Sequence, residues 1–195
     1  MSPTPTVLAV SGSLRDDSYT RTALSYVLAA AADAGADTEL LDLREYDLPM
    51  YDPDLGEQGD EEACKRLVRE ADAVALGTPV YHGSYSGLLK NFHDYCGFDE
   101  YEHTTVGLVA TAGGGSFGPT LDHLRSTVRG VHGWVVPHQV GIRNAKHQFD
   151  DDPDAIDGRV FRDSSIESRV ETLGEHLVQY AFIEPTPLPE RMRSE

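Results

Sequence analysis

A hydroxyl-rich loop near the N-terminus carries the residue types of a phosphate site. Ser11-Gly12-Ser13 follows a short apolar run, and Arg15 and Ser18 come just before a segment with helical spacing of apolar residues. The free backbone N–H groups, the positive end of a helix dipole and an arginine then surround one point, which favours a phosphate monoester. Ser13, Ser18 and Thr20 can add hydroxyl groups. In the alternative interpretation, Ser18 only caps a helix and Arg15 is a solvated surface charge.

This loop differs from two common nucleotide-binding loops. The chain has no G-x-x-x-x-G-K-[ST] pattern and no G-x-G-x-x-G pattern, which excludes a nucleoside-triphosphate loop and an ordinary dinucleotide fingerprint. A second loop, residues 79–85, offers the aromatic rings of Tyr81 and Tyr85. A phosphate at the first loop and a planar ring over the second indicate a mononucleotide. Flavin mononucleotide (FMN) fits better than a dinucleotide, since only one phosphate site is evident; alternatively, Tyr81 and His82 are ordinary loop residues.

Strands and helices that can position these loops alternate along the chain. Strands are predicted over 6–10, 38–43, 71–78, 105–112 and 134–137, with a resumption at 139–142. Helices are predicted from 18 to the glycine at 35 and over 60–70, 87–96, 119–131 and 164–180. The acid-rich stretch 144–162 shows no periodicity and is predicted to be an irregular loop. Five strands alternating with five helices predict an α/β fold, a doubly wound five-stranded parallel sheet with helices on both faces.

In such a sheet, ligands bind beyond the carboxyl ends of the strands, at the point where the strand order reverses. The loops after the first, third and fourth predicted strands are the ones with unusual composition. The fourth strand is followed by Gly113-Gly114-Gly115, which either leaves room for a ring system or is only a flexible turn. The agreement of three loops in location is the main argument for one shared site.

Composition limits the class of protein. The 195 residues suit one domain, predicted over 1–183 and followed by a proline-rich tail at 184–195. With 33 acidic and 16 basic residues, the net charge of −17 predicts no binding to nucleic acid or to anionic membranes. Because only three of the basic residues are lysines, we predict a halophilic origin, with a generally acidic mesophile as the alternative.

Cysteines, histidines and apolar runs limit the class of protein further. Cys64 and Cys96 lie outside any C-x-x-C motif, which predicts a reduced, cytoplasmic protein with ordinary thiols. The eight histidines are scattered without the spacing of metal ligands, so no metal site is predicted. The first residues lack the pattern of a secretory signal, and no apolar run is long enough to span a membrane.

Several motifs in combination resemble one known family. They are Gly12-Ser13-Leu14-Arg15 with Ser18 and Thr20, the run 78–81 that leads to 87–91 and Asp94, and Ala112-Gly113-Gly114. Over most of residues 6–140 the chain resembles the NAD(P)H-dependent FMN reductases of flavodoxin-like fold. Lys90, Asn91 and Asp94 are interpreted as helix-packing or subunit-contact residues, with Lys90 and Asp94 one helical turn apart. Val80, His82 and Ser86 stand where many members have Glu, Asn and Pro, which leaves the electron acceptor open.

The resemblance implies a flavin site with contacts from all three loops. The implied contacts are Ser13, Arg15, Ser18, Tyr19 and Thr20 for the phosphate; Pro79, Val80, Tyr81, His82 and Gly83 for the isoalloxazine ring and ribityl chain; and Gly113, Gly114 and Gly115 beside the ring. It also implies NADPH or NADH as hydride donor and a small acceptor: a quinone, an azo compound, a metal oxyanion or free flavin. No catalytic side chain is expected, because the flavin carries the chemistry. Homodimers or homotetramers are implied, with the ring near a subunit boundary.

Two other classes of function remain open from the sequence alone. A flavodoxin-like electron carrier would share the fold and suit the acidic surface, although the first loop lacks the threonine-rich phosphate loop of flavodoxins. A flavin-free interaction domain would also share the fold. Turnover with NAD(P)H alone distinguishes a reductase from a carrier, and a colourless protein would favour the interaction domain.

Overall fold

A parallel sheet forms the centre of the structure, a computed structural model that describes residues 3–183. The predicted tail at 184–195 lies outside the described residues. The strands of the sheet are β1 (Thr6–Ser11), β2 (Asp37–Asp42), β3 (Ala73–Pro79), β4 (Thr105–Thr111), β5 (Trp134–Val135) and β6 (Val140–Ile142). The order of the strands across the sheet is β2-β1-β3-β4-β5, with β6 also paired to β4. This order reverses between β1 and β3, as the prediction of a doubly wound flavodoxin-like sheet requires. This prediction of the fold is confirmed.

The register of the sheet brings the carboxyl ends of its central strands together. Ser11 pairs with Gly77, and Pro79 at the end of β3 pairs with Thr111 at the end of β4. Because all of these strands run in the same direction, the loops that follow β1, β3 and β4 leave the sheet at one edge.

The fifth position of the sheet is divided between two short strands. β5 pairs with the start of β4, at Thr105 and Val106, whereas β6 pairs with its end, from Val109 to Thr111. Pro137 lies between them and has no N–H group to donate to a ladder, which accounts for the interruption. The predicted resumption of the strand is therefore confirmed.

Helices cover both faces of the sheet. They are α1 (Tyr19–Asp33), α2 (Glu61–Glu70), α3 (Gly87–Tyr95), α4 (Phe98–Tyr101), α5 (Gly118–Gly130) and α6 (Ser164–Gln179). The one-turn helix α4 was not predicted, since four residues are too few to show a period. Of the helices between residues 3 and 183, none has the length and apolar character needed to cross a lipid bilayer.

Alternate residues of each strand enter two separate cores. Val7 and Ala9 of β1 pack under α1 and α6, whereas Leu8 and Val10 pack on the other face under α2, α3 and α5. The relative exposure of these four side chains is 1% or less. Because both faces are covered, the central strands β1, β3 and β4 are buried almost throughout, which is the pattern of a buried parallel strand.

The segment predicted as an irregular loop, 144–162, contains regular structure, so this prediction is wrong. Strands β7 (Phe149–Asp151) and β8 (Arg159–Phe161) form an antiparallel pair, with short 3₁₀ turns at 145–147 and 156–158. Each strand has three residues, too few for a visible alternation. The hairpin is held by tertiary contacts instead, because Phe149 and Phe161 are buried against each other and against α1.

His93 of α3 gives the structure a predictable sensitivity to acid. Its side chain is buried, and its Nδ1 atom has no hydrogen-bond partner among residues 3–183. Burial lowers the pKa of His93 below the ordinary value of 6.5, because the charged imidazolium is poorly solvated there. As the pH falls below about 6.5, the unfolded chain takes up a proton at this residue that the folded chain does not, and the free energy of unfolding decreases.

We therefore expect His93→Gln to flatten the loss of stability between pH 7.5 and pH 5.5, measured by urea unfolding at both values. His147→Gln, at an exposed position, serves as the control and should keep the wild-type difference. An unchanged pH dependence in His93→Gln would contradict the expectation, whatever the stability of the variant at pH 7.5.

Candidate functional site

The loop after β1 presents unpaired donors at the N-terminus of α1. Ser18 is the N-cap, and its Oγ accepts from Arg21 N at 3.1 Å. Arg21 is in the third position of the helix, so the amides of Tyr19 and Thr20 before it have no intrahelical acceptor. Ser13 and Ser18 are 3% and 2% exposed, so their hydroxyl groups line the loop from inside. This set of amides, hydroxyls and a helix dipole suits an oxyanion.

The loop after β3 forms a tight hairpin. Tyr81 N donates to Ser84 O at 2.9 Å, and Ser84 N donates to Tyr81 O at 3.0 Å. The two residues between them, His82 and Gly83, have φ values of 52° and 79°, the left-handed conformation of a type I′ turn. The turn leaves Tyr81 50% exposed at its side. A flat ligand can therefore approach the backbone of this hairpin and contact an aromatic ring.

Tyr85 does not provide the aromatic surface that the sequence predicted, and this expectation is wrong. Its side chain is only 6% exposed and belongs to the core under α3 and α5. The ring centroid lies 5.0 Å from that of His123 on α5, and Ser84 Oγ lies 3.0 Å from His123 Nδ1. Tyr85 therefore anchors the hairpin to α5 instead of facing a ligand.

The glycines after β4 border open space. At Gly113, Gly114 and Gly115, an added Cβ atom would meet no other atom within 4 Å. The loop is nevertheless attached at its first part, because Asn144 N donates to Gly114 O at 2.9 Å and Ala145 N donates to Ala112 O at the same distance. An attached loop without side chains leaves room beside the other two loops for a ring system.

Buried hydroxyl groups join the three loops. Ser86 Oγ donates to Gly12 O at 2.6 Å, and Thr78 Oγ1 accepts from Ser86 N at 2.9 Å, which ties the first loop to the end of β3. Thr20 and Thr111 are joined by a hydroxyl contact of 2.6 Å, which ties α1 to the end of β4. The sequence-predicted residues of all three loops are thus brought to one edge of the sheet, in fixed relative positions.

Three of the predicted phosphate contacts differ in what their side chains can do. The Tyr19 ring stacks on Phe149 with centroids 5.4 Å apart, so only its backbone N–H faces the loop. The Thr20 hydroxyl is already shared with Thr111. Arg15 is exposed, and within residues 3–183 its guanidinium forms no ion pair, which leaves it available to an anion.

Asn91 is a positioning residue whose role in this structure the sequence did not reveal. It is 5% exposed, and its Nδ2 donates to Leu48 O and Pro49 O at 3.2 and 2.7 Å. Its Oδ1 accepts from Tyr51 N at 2.9 Å. These three bonds fix the loop after β2. The spacing of residues in the sequence does not predict them, because they join residues about 40 positions apart.

The predicted i, i+4 ion pair between Lys90 and Asp94 is present.

A separate cavity of about 830 Å³ lies between α5 and β5. It is lined by His103, Arg129 and Trp134 among others, and Trp134 pairs with Thr105 at the start of β4. The cavity therefore lies near the amino ends of the strands and shares no residue with the three loops.

The residues at the three loops fit FMN. Buried serine hydroxyls and the free amides of α1 match a phosphate monoester, and the open glycine loop matches a flat ring.

Sequence comparison identifies the family. The family model described as NADPH-dependent FMN reductase matches residues 5–147. The chain belongs to this family. FMN reductases of this family use a nicotinamide donor, so the protein is an FMN-dependent NAD(P)H oxidoreductase, and the predicted family, cofactor and reaction type are confirmed. This membership favours the reductase over the electron carrier and the flavin-free interaction domain.

Curated relatives of this FMN reductase include two azoreductases. The FMN-dependent NADPH-azoreductase of Staphylococcus saprophyticus is 34% identical over 151 residues, which cover 74% of this chain and 80% of that protein. The protein of the same name from Staphylococcus aureus is 30% identical over 184 residues, which cover 91% of this chain and 96% of that protein.

Solved structures share the fold. An NADH:FMN oxidoreductase in its apo form has a TM-score of 0.75 and 21% identity, with 93% of this chain and 92% of that chain covered. A flavodoxin from the domain Archaea has a TM-score of 0.63 and 10% identity, with 90% of this chain and 98% of that chain covered. At these identities the likeness concerns the fold alone.

Proposed function

We propose that this FMN reductase uses NADPH to reduce small planar acceptors, azo compounds above all, at a flavin held by the loops after β1, β3 and β4. The observation that carries the proposal is the convergence of these loops at one sheet edge, with buried donors on one side and open glycines on the other. NADPH and azo compounds are the substrates in the names of the staphylococcal relatives.

The FMN phosphate would lie at the N-terminus of α1. The Tyr19 and Thr20 amides and the Ser13 and Ser18 hydroxyls would donate to its oxygens, and the exposed Arg15 guanidinium would close over it. Apart from Arg15, these donors are held before the phosphate binds, because Ser18 caps the helix and Ser86 holds Gly12. The protein thus binds the phosphate with groups that are already in position, which favours retention of the cofactor.

The ring end of FMN would lie between the hairpin at 81–84 and the glycines at 113–115. The hairpin backbone, with Pro79 and Val80 leading into it, lines one side, and Tyr81 offers an aromatic contact at its rim. When bound, FMN supplies the redox chemistry by accepting a hydride from the nicotinamide and passing the electrons to the acceptor. The absence of side chains at the glycines would leave room beside the ring for the donor and the acceptor to bind in turn.

Anaerobic absorption spectroscopy tests this function. Protein reconstituted with FMN is mixed with NADPH or NADH, and then with an azo dye, a quinone or free FMN. We expect bleaching of the flavin bands that is faster with NADPH, and reoxidation by the azo dye with steady turnover. A flavin that NADPH leaves oxidised would refute the proposal and favour an electron carrier. Reoxidation by a quinone or free flavin, but not by the azo dye, would refute the proposed azo substrate. The proposal that NADPH is the hydride donor would still hold.

We also propose that two copies associate through the edge of the sheet that carries the flavin site. Large apolar side chains are exposed on the loops there: Leu14 at 67%, Met50 at 80% and Leu55 at 61%. Asn91 holds the Met50 loop rigidly in place, so an apolar surface is presented without the entropy cost of ordering it. Light scattering should give twice the monomer mass for the wild type and the monomer mass for Met50→Asp.

The charge of the chain supports a cytoplasm rich in salt as its location. A net charge of −17 implies strong self-repulsion in the folded state, which salt screens. Burial raises the pKa of Cys64 to about 11, so this thiol stays protonated and unreactive in a reducing compartment. We expect the melting temperature to rise steadily from 0.1 M to 2 M KCl by differential scanning fluorimetry. A melting temperature that is constant or falls over this range would contradict a halophilic origin.

A further inference from the structure

We call the loop after β1, residues 12–18, the proposed phosphate loop. Arg159 of β8 contacts this loop and the start of α1, on both sides of Ser18. Its guanidinium donates to Asp17 Oδ1 at 2.8 Å, and its Cζ lies 4.9 Å from the centre of the Tyr19 ring. It also donates to Thr22 Oγ1 at 3.2 Å, one helical turn after the cap. Only 10% of the Arg159 side chain is exposed, so the guanidinium is held among these contacts, although Asp17 itself faces solvent.

The rest of the hairpin attaches to the same turn of α1. Asp157 accepts from Thr22 Oγ1 at 2.7 Å and from Arg21 Nε at 3.1 Å. Phe149 stacks on the Tyr19 ring, and the Tyr26 hydroxyl donates to the Arg159 carbonyl at 2.8 Å. The first turn of α1 is therefore fixed from one side by a segment far away in sequence.

Arg159 also offsets negative charge in this loop. Asp16 and Asp17 come directly before Ser18, and two free carboxylates beside a phosphate dianion would repel it. Each is paired with an arginine from outside the loop, Asp16 with Arg44 and Asp17 with Arg159, whose Nε also lies 3.5 Å from Asp151 Oδ1 on the neighbouring strand of the hairpin. Of the two arginines, Arg159 is the more buried, and its several contacts hold its guanidinium in one place beside the loop.

We propose that Arg159 is a positioning residue for the flavin phosphate. By holding Asp17 and Tyr19, it keeps the Ser18 hydroxyl and the amides at the start of α1 directed at the phosphate. This inference rests on the proposed FMN site. The hairpin lies beyond residues 5–147, the span that the family model matches. Arg159 acts through the loop and need not touch the cofactor.

The test compares FMN with riboflavin, which has the same ring and no phosphate. Arg159→Gln removes the charge, whereas Arg162→Gln is the matched control, because Arg162 lies on the same hairpin and pairs only with Asp150 within it among residues 3–183. We expect Arg159→Gln to weaken FMN binding at least about tenfold and to leave riboflavin binding within twofold. Arg162→Gln should bind both ligands like the wild type.

Other results would overturn either the role of Arg159 or the phosphate site itself. Equal losses for FMN and riboflavin in Arg159→Gln, or no loss for either, would overturn the positioning role. Arg159→Lys keeps the charge but not the fork of donors, and it should recover part of the FMN affinity. If the wild type itself binds riboflavin as tightly as FMN, the phosphate site of the proposed function is wrong, and the role of Arg159 is overturned with it.

Discussion

Ser18→Asp is expected to lower the affinity for FMN by at least about 100-fold while the protein stays folded. Aspartate is as good an N-cap as serine, so the bond to Arg21 N that begins α1 can be kept. The same substitution places a carboxylate where the proposed phosphate lies. Two like charges about 4 Å apart repel each other by about 4 kcal/mol at an effective dielectric constant of 20, which accounts for the size of the loss.

Ser18→Asn separates charge from shape in this experiment. Asparagine is nearly the same size as aspartate and is also a good N-cap, but it is neutral. Fluorescence titration should show about a tenfold loss of FMN affinity for Asn, since one hydroxyl donor is removed, and a much larger loss for Asp. Riboflavin should bind both variants alike. If Asp and Asn weaken FMN binding to the same extent, the phosphate does not lie at the start of α1.

The central sheet and its loops were predictable because their signals are local. An apolar run that ends before Ser11-Gly12-Ser13 marks a buried strand, and Ser18 before a periodic segment marks a capped helix. Alternation of such elements then allows few topologies, and the doubly wound sheet places the loops after β1, β3 and β4 at one edge. The location of the candidate site follows from these steps without any knowledge of side-chain contacts.

What could not be predicted depends on contacts between distant residues. Arg159 reaches Asp17 across more than 140 positions of sequence, and Phe149 and Tyr19 stack only because the hairpin folds back on α1. The same reason explains Tyr85: in a loop of aromatic and polar residues, nothing in the sequence tells which ring packs inward. Tyr81 and Tyr85 differ in exposure because the turn between them reverses the chain.

The second large effect is expected for the crossing of α1 and α6, at Gly174. Here a Cβ atom would lie 2.4 Å from Val27 O, 2.9 Å from Ala30 Cβ and 3.0 Å from Ala31 N. Two of these neighbours are backbone atoms, which cannot turn aside as a flexible side chain can. The helices must therefore separate, and Gly174→Ala should lower the free energy of unfolding by about 3 kcal/mol, even though alanine is the better helix former.

Gly130→Ala is the matched control, because Gly130 also lies in a helix but a Cβ atom there would meet nothing within 4 Å. It should raise the free energy of unfolding by about 0.5 kcal/mol through the lower entropy of the unfolded chain. Urea unfolding of both variants measures the two opposite effects. A small effect of Gly174→Ala would mean that α6 can shift on α1 at little cost. Since α1 begins at the proposed phosphate loop, easy movement of α6 on α1 would argue against a rigid site. It would favour a site that forms around its cofactor.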